Sequence, residues 1–290
     1  MPDLKPFLAT GLALGGIYAL SGASLVLLYR TTAVVNFAYG GLGAAAALVT
    51  WQVLDKGGPE PLAWTAGVAV ATAASLAYGT LIHPRLASRD IAISASGSLG
   101  AALILLGACT LIWGDQVRTL NLGTSQLSFR VTTAYVNGTQ VFALALATGV
   151  VIAAGAFLRW TLLGTTIRAL ANDRGLSALL GIRVRRVEAL TWGTVGALAG
   201  LCGILFGDLV SLQPETLTFM VIASLAAAVV GSFRSLWMAY VGGIVIGLLQ
   251  ACSTPFQSLS PYSDAVPFLV AIVALLIRDV RRHSRGERVP

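Results

Sequence analysis

The residues able to do chemistry in this sequence are few, and most of the usual constellations are missing. One short stretch, Asn36-Phe37-Ala38-Tyr39-Gly40-Gly41, sets a carboxamide, two aromatic rings and two adjacent glycines inside an apolar run. A polar group in lipid must find a partner, and paired glycines weaken a helix. The stretch therefore reads as a broken helix lining a cavity, with Asn36, Phe37, Tyr39 and Gly40 beside a solute pathway; the plainer alternative has Asn36 bonding a neighbouring helix. Nucleotide chemistry is excluded by the lysines, because a phosphate-binding loop needs a Gly-Lys-Ser/Thr core and the only lysines are Lys5, after Leu4, and Lys56, after Asp55. Cys109, Cys202 and Cys252 all lie in apolar segments, where a thiol packs as a small hydrophobe. His83 and His283 stand apart from any second ligand, so no metal site is expected. Proton relays use buried acids, and only Glu188 and Asp208 come close to an apolar segment's interior, each near an end. No nucleophile has a visible base partner, which makes an intramembrane enzyme the weakest functional class.

The elements that must position these residues are membrane spans. The chain of 290 residues is 56% hydrophobic and only 11% charged, against about 25% charged in soluble domains, and its mean hydropathy is +0.82. Uncharged runs cover residues 7–29, 33–54, 62–82, 91–113, 139–158, 189–207, 217–231, 236–252 and 265–277. Each approaches the roughly 20 residues that a helix needs to cross a bilayer. The expected fold is an all-α integral membrane protein, a polytopic helical bundle of about eight or nine transmembrane segments, some discontinuous. Residues 1–290 form a single membrane domain, with no space for a separate soluble one. The first run is too long for a signal-peptide core and should be retained as a span.

The net charge of +7 would suit nucleic acid only if gathered on one surface. Instead it alternates with the spans. With the C-terminus cytoplasmic and the N-terminus outside, the inner segments hold fifteen of the nineteen basic residues, among them Arg30, Arg85, Arg159, Arg168, Arg234 and Arg278. The outer segments hold Lys5, Lys56, Arg118 and Arg130, with seven of the twelve acids. Basic residues in short loops set orientation in this way. All six tryptophans fall near proposed span ends, where the indole ring suits the headgroup level.

Two connections are more than links. The outer loop, residues 114–139, is polar and rich in Thr, Asn and Gly; loops of that length are commonly functional or disordered, so it is either a connector, or a contact for an external partner or part of a substrate entrance. Its Asn137-Gly138-Thr139 matches a glycosylation pattern too short to carry weight. The inner stretch, residues 161–186, reads as two short helices. Ile167, Leu170 and Ala171, and then Leu176, Leu179 and Leu180, fall at i, i+3, i+4 and give each helix an apolar stripe. Asn172 and Asp173 suit the cap of the second helix, and Gly181 suits its end. Lipid headgroups or a cytoplasmic partner must cover those stripes. Glycines at packing spacing, such as Gly11, Gly15, Gly196, Gly200, Gly203, Gly243 and Gly247, suit close helix crossings in lipid.

These motifs together resemble the permease subunits of branched-chain amino acid type ABC importers, the LivH-like family. The similarity runs over nearly the whole chain. It includes the first apolar run from Gly11 to Leu20, Val35-Asn36-Phe37-Ala38-Tyr39-Gly40, His83-Pro84-Arg85, the gapless match from Gly164 to Ile182 ending in Leu179-Leu180-Gly181-Ile182, the run Ala197 to Gly203, and Gly242 to Gly247. The resemblance implies a subunit that is not itself an enzyme and carries no cofactor, ATP and Mg being held by partner ATPases. It implies a permease core of two related subunits, or a homodimer, in the plasma (inner) membrane, with two cytoplasmic ATPase subunits and an external solute-binding protein. Arg168, Ala169, Asp173, Leu179 and Gly181 would then belong to a coupling hairpin docked on the ATPase. The cargo would be a small polar solute: a branched-chain or other amino acid, or an amide or urea-like compound. This chain departs from the family at Tyr39 and Gly41, where histidine and an acid are usual, at Thr165, at Ala223 and in the turn Gly231-Ser232-Phe233-Arg234-Ser235. A secondary carrier or channel without an ATPase is the alternative in a different class.

Overall fold

The computed structural model describes residues 5–86, 91–131, 134–256 and 260–284. It is a helical bundle built from α1 (Lys5–Thr32), α2 (Tyr39–Asp55), α3 (Glu60–Ala77), a π-helical turn (Tyr78–Ile82) running into α4 (His83–Leu86), α5 (Ile91–Trp113), α6 (Gly138–Trp160), α7 (Leu162–Asn172), α8 (Arg174–Leu179), α9 (Val184–Leu209), α10 (Pro214–Val230), α11 (Leu236–Ser253) and α12 (Val266–Ser284). Each of the nine apolar runs holds one of the long helices. Among the described residues six helical stretches are long and apolar enough to cross a bilayer: Phe7–Thr32, Glu60–Leu86, Ala92–Trp113, Gly138–Trp160, Val184–Leu209 and Leu236–Ser253. Helices α2 and α10, at 17 residues each, rise about 25 Å, short of the roughly 30 Å hydrocarbon thickness.

Helix α1 is the axis of the bundle, with 83% of its span residues buried, whereas α5 and α6 bury only 17% and 22% of theirs and form the apolar exterior. Two crossings bring backbones into contact. Gly15 of α1 faces Gly243 and Gly247 of α11, and Gly43 of α2 faces Gly203 of α9; at each place a Cβ atom would collide with the opposing backbone. In lipid, where apolar burial gives no preference for helix over acyl chain, such close backbone packing is a main source of helix association.

Charge divides the bundle by its ends. Arg30, Arg159, Arg168 and Arg234 share one end, and Glu60 and Asp208 meet the loop after α5 at the other. That loop is ordered: Leu120 and Leu122 are buried, the Leu122 amide donates to Asp208 Oδ1 at 3.0 Å, and the Gly123 amide donates to Glu60. Arg118 lies over the Trp51 ring, 4.9 Å from its centroid. A two-stranded ribbon, Ser128–Val131 against Ala134–Asn137, follows. Asn137 then caps α6 in a reciprocal box with Gln140, which gives the sequon-like triplet a structural role.

Two expectations need correction. The second run is helical only from Tyr39, because residues 33–38 break the helix before the glycine pair rather than at it. The Trp192 ring does not face the outside of the bundle, where headgroups could meet it: it is buried against Tyr78 and His83, with ring centroids 5.2 and 5.6 Å away. His83 is buried beside it. The π-helical turn explains this packing. Pro84 cannot donate to the helix and crowds the carbonyl four residues earlier, the extra residue of a π turn absorbs that conflict, and Gly79 opens the surface on which the Trp192 ring rests.

Candidate functional site

The hairpin is fixed at both helix starts by side-chain caps. Thr161 accepts from the Gly164 amide at 2.9 Å, and Asp173 Oδ1 accepts from the Leu176 amide at 2.9 Å, satisfying donors that a helix start leaves free. Asn172 ends α7, so the cap of α8 is Asp173 alone. Helix α8 stops at a Schellman turn: the Gly181 amide donates to Ala178 and the Ile182 amide to Ser177, each at 3.1 Å. Gly181 takes φ +83° there, a conformation that costs other residues about 1–2 kcal/mol.

The two apolar stripes, indistinguishable in sequence, have different fates. Ile167 and Leu170 of α7 are buried in the core cluster of the bundle. Leu176, Leu179 and Leu180 of α8 stand 54%, 86% and 73% exposed. Arg168 and Ala169 lie on the exposed side of α7, with the Arg168 guanidinium 3.2 Å from Thr165 Oγ1. The Arg174–Glu188 ion pair at 2.8 Å ties α8 back to the bundle through a carboxylate buried on α9. The hairpin is thus anchored on one face and bare on the other.

The break at residues 33–38 is held from two directions. Asn36 Oδ1 accepts the Ala38 amide at 3.0 Å, the local turn that competes with helix wherever Asn has the chance. Ser98 of α5 donates to the Val35 carbonyl at 2.9 Å and accepts from the Phe37 amide at 3.2 Å. Asn36 and Tyr39 are fully enclosed and Phe37 is half-buried. The Asn36 Nδ2 donor has no partner among the described residues. Tyr39 turns its hydroxyl toward Ser21, Ser24 and Cys202. Gly40 lies against the Thr218 backbone of α10, with no space for a Cβ. These four residues are therefore together, at the junction of α1, α2, α5, α9 and α10.

A cavity of about 690 Å³ opens at the opposite end from the hairpin, between α1 and α9–α12. Tyr18, Phe206, Phe219 and Phe268 give it aromatic walls, and Gln250, Glu215 and Asp264 add polar groups to the hydroxyls of Thr10, Thr216, Thr254 and Ser263. Gln250 Nε2 donates to Asp264 Oδ1 at 3.3 Å, and Gln250 Oε1 is buried with no hydrogen-bond partner among the described residues. Sequence reasoning missed this site. Gln250, a carboxamide near the end of an apolar helix, was the available signal.

A family model described as branched-chain amino acid transport system / permease component matches residues 7–275, nearly the whole chain. The chain belongs to that family. Among curated relatives, the permease is 28% identical to the high-affinity branched-chain amino acid transport system permease protein LivH of Escherichia coli (strain K12), over 96% of this chain and 94% of that one. It is 26% identical to the corresponding protein BraD of Pseudomonas aeruginosa, over 99% of both chains. Among solved structures, PsaBC from Streptococcus pneumoniae in complex with Fab is similar at TM-score 0.47 and 15% identity, over 96% of the permease and 91% of that chain. The departures at Tyr39, Thr165 and Ala223 now have surroundings. Tyr39 and Ala223 are buried, while Thr165 faces outward beside Arg168.

Proposed function

We propose that this permease is the membrane subunit of an ATP-driven importer for a small amino acid or a related amide, with the hairpin end in the cytoplasm and the N-terminus outside. The observation that carries the reading is the two-faced hairpin: α7 is rooted in the bundle while α8 offers bare leucines to a partner. Two cytoplasmic ATPase subunits would seat α8 through Leu179, with Arg168, Ala169, Asp173 and Gly181 shaping the contact. A push on α8 reaches α9 through the Arg174–Glu188 ion pair and reaches the core through Ile167 and Leu170. Nucleotide binding can shift the transporter only by favouring one packed state over another, and this hairpin gives the ATPases a lever on that choice. A second, related permease, or another copy of this chain, completes the core.

The cavity away from the hairpin suits a solute with an apolar body and an amino or amide group, because its aromatic walls stand beside two carboxylates, Glu215 and Asp264, and the Gln250 carboxamide. It would receive cargo from an external solute-binding protein, which the loop after α5 would help to seat. Asn36, Phe37, Tyr39 and Gly40 lie toward the cytoplasmic exit. The unused Asn36 donor costs about 1–3 kcal/mol where no water reaches it, and it finds its partner when the pathway opens.

The test is substrate-stimulated ATP hydrolysis by the reconstituted complex. Leu179→Asp and Arg168→Glu, both at exposed positions, should leave the permease folded and abolish the stimulation. Full stimulation in both variants would remove the hairpin from the coupling path.

A further inference from the structure

The arginines at the hairpin end do more than record orientation. Arg30 of α1, Arg168 of α7 and Arg234, in the turn between α10 and α11, line a cavity of about 630 Å³ together with Arg174. The same Arg30, Arg168 and Arg234 also line an adjoining hollow of about 380 Å³, where Arg159 of α6 joins them. Arg174 is paired with Glu188; the other four have no carboxylate partner among the described residues. So many cations without anions repel one another, and a protein holds them together where a ligand supplies the missing charge.

The surroundings specify the ligand. The smaller hollow continues between α6 and α11, floored by Leu158 and Leu236 and walled by Gly155 and Trp237. A Cβ on Gly155 would lie 3.7 Å from the Trp237 indole nitrogen, so glycine leaves this gap open. Beyond the hollow, away from the arginines, both helices expose apolar side chains on the same faces, among them Ile152, Val241 and Val245. Trp160 and Trp237, 79% and 53% exposed, mark the headgroup level. A basic pocket below, an apolar groove above and indoles at the boundary match the layers of a phospholipid. The turn that presents Arg234 is held under strain, with Ser232 and Phe233 both at φ 53°, a region that costs residues other than glycine about 1–2 kcal/mol each. That geometry lays Phe233 on Tyr29, with centroids 4.8 Å apart, and sets Arg234 at both hollows.

We propose that the α6–α11 groove at the hairpin end binds an anionic phospholipid, its phosphate among Arg30, Arg159, Arg168 and Arg234 and its acyl chains along the two helices. Guanidinium groups suit this task because they grip phosphate oxygens in pairs, and basic pockets between membrane helices hold anionic headgroups by the same chemistry. The lipid would brace α7 against α6 and α11, steadying the base of the hairpin.

Native mass spectrometry of the full chain in detergent tests this, with phosphatidylglycerol and phosphatidylcholine of identical acyl chains added in turn. The wild type should retain phosphatidylglycerol preferentially. Arg159→Gln with Arg234→Gln should weaken that retention about thirtyfold, from about 1 kcal/mol per arginine, and leave phosphatidylcholine unchanged. Lysine at both positions keeps the charge and should keep much of the preference, which separates loss of binding from misfolding. Equal retention of the two lipids, or an undiminished preference in the glutamine variant, would overturn the proposal. Displacement of phosphatidylglycerol by excess inorganic phosphate would make the occupant a soluble anion and overturn it too.

Discussion

Asn36 and Leu179 carry opposite kinds of unfinished business, an unused donor inside the bundle and an uncovered leucine outside it. Asn36→Leu removes the orphan donor but also the turn bond to Ala38, two effects of about 1 kcal/mol each and opposite sign. The thermal midpoint of the purified permease should therefore move little while solute uptake by the complex falls; a large drop in the midpoint would make Asn36 a purely structural residue. At Asp173 the physics is local. Asp173→Ala removes the α8 cap and should cost about 1 kcal/mol, seen as faster amide exchange confined to residues 174–181, with Asp173→Ser restoring protection. Tyr39 and Gly40 were legible as special residue types, but their enclosure was not, because a sequence shows that Gly40 is small and not that the Thr218 backbone rests on it.

At the scale of elements, helix crossings set the architecture and stripes set the surface. Gly203→Leu at the α2–α9 crossing would force apart backbones now in contact. Overpacking of this kind commonly costs about 1–3 kcal/mol, and the expected outcome is loss of a monodisperse peak in size-exclusion chromatography, while Gly149→Leu, with open space around it, leaves that peak unchanged. The loop after α5 predicts a second effect. Asp208→Ala removes the acceptor of the Leu122 amide and should make residues 114–126 cleavable by protease added at that end, with the bundle intact. The nine apolar runs announced the long helices because length and composition decide them. The break before α2 was legible in the Asn36–Gly41 stretch, but its place was not, because an Asn side-chain turn and a serine from α5 set it at residues 33–38, ahead of the glycines. The π turn was not legible because Pro84 fixes it locally while the Trp192 ring that packs on it comes from distant α9. The two hairpin stripes have the same periodicity, and only tertiary packing makes one buried and the other bare.

The whole molecule is polarised. One end gathers arginines and the hairpin, the other the aromatic, acid-lined cavity and the loop after α5, and the buried axis of α1 joins them. That polarity suits vectorial transport driven from the hairpin end. The most direct test is solute uptake into proteoliposomes holding the permease, its companion subunits and the external binding protein. The account predicts uptake of a labelled branched-chain amino acid only when ATP is available on the hairpin side, and none with Leu179→Asp despite normal incorporation of the permease. Equal uptake without ATP, or full ATP-driven uptake by the Leu179→Asp complex, would contradict it.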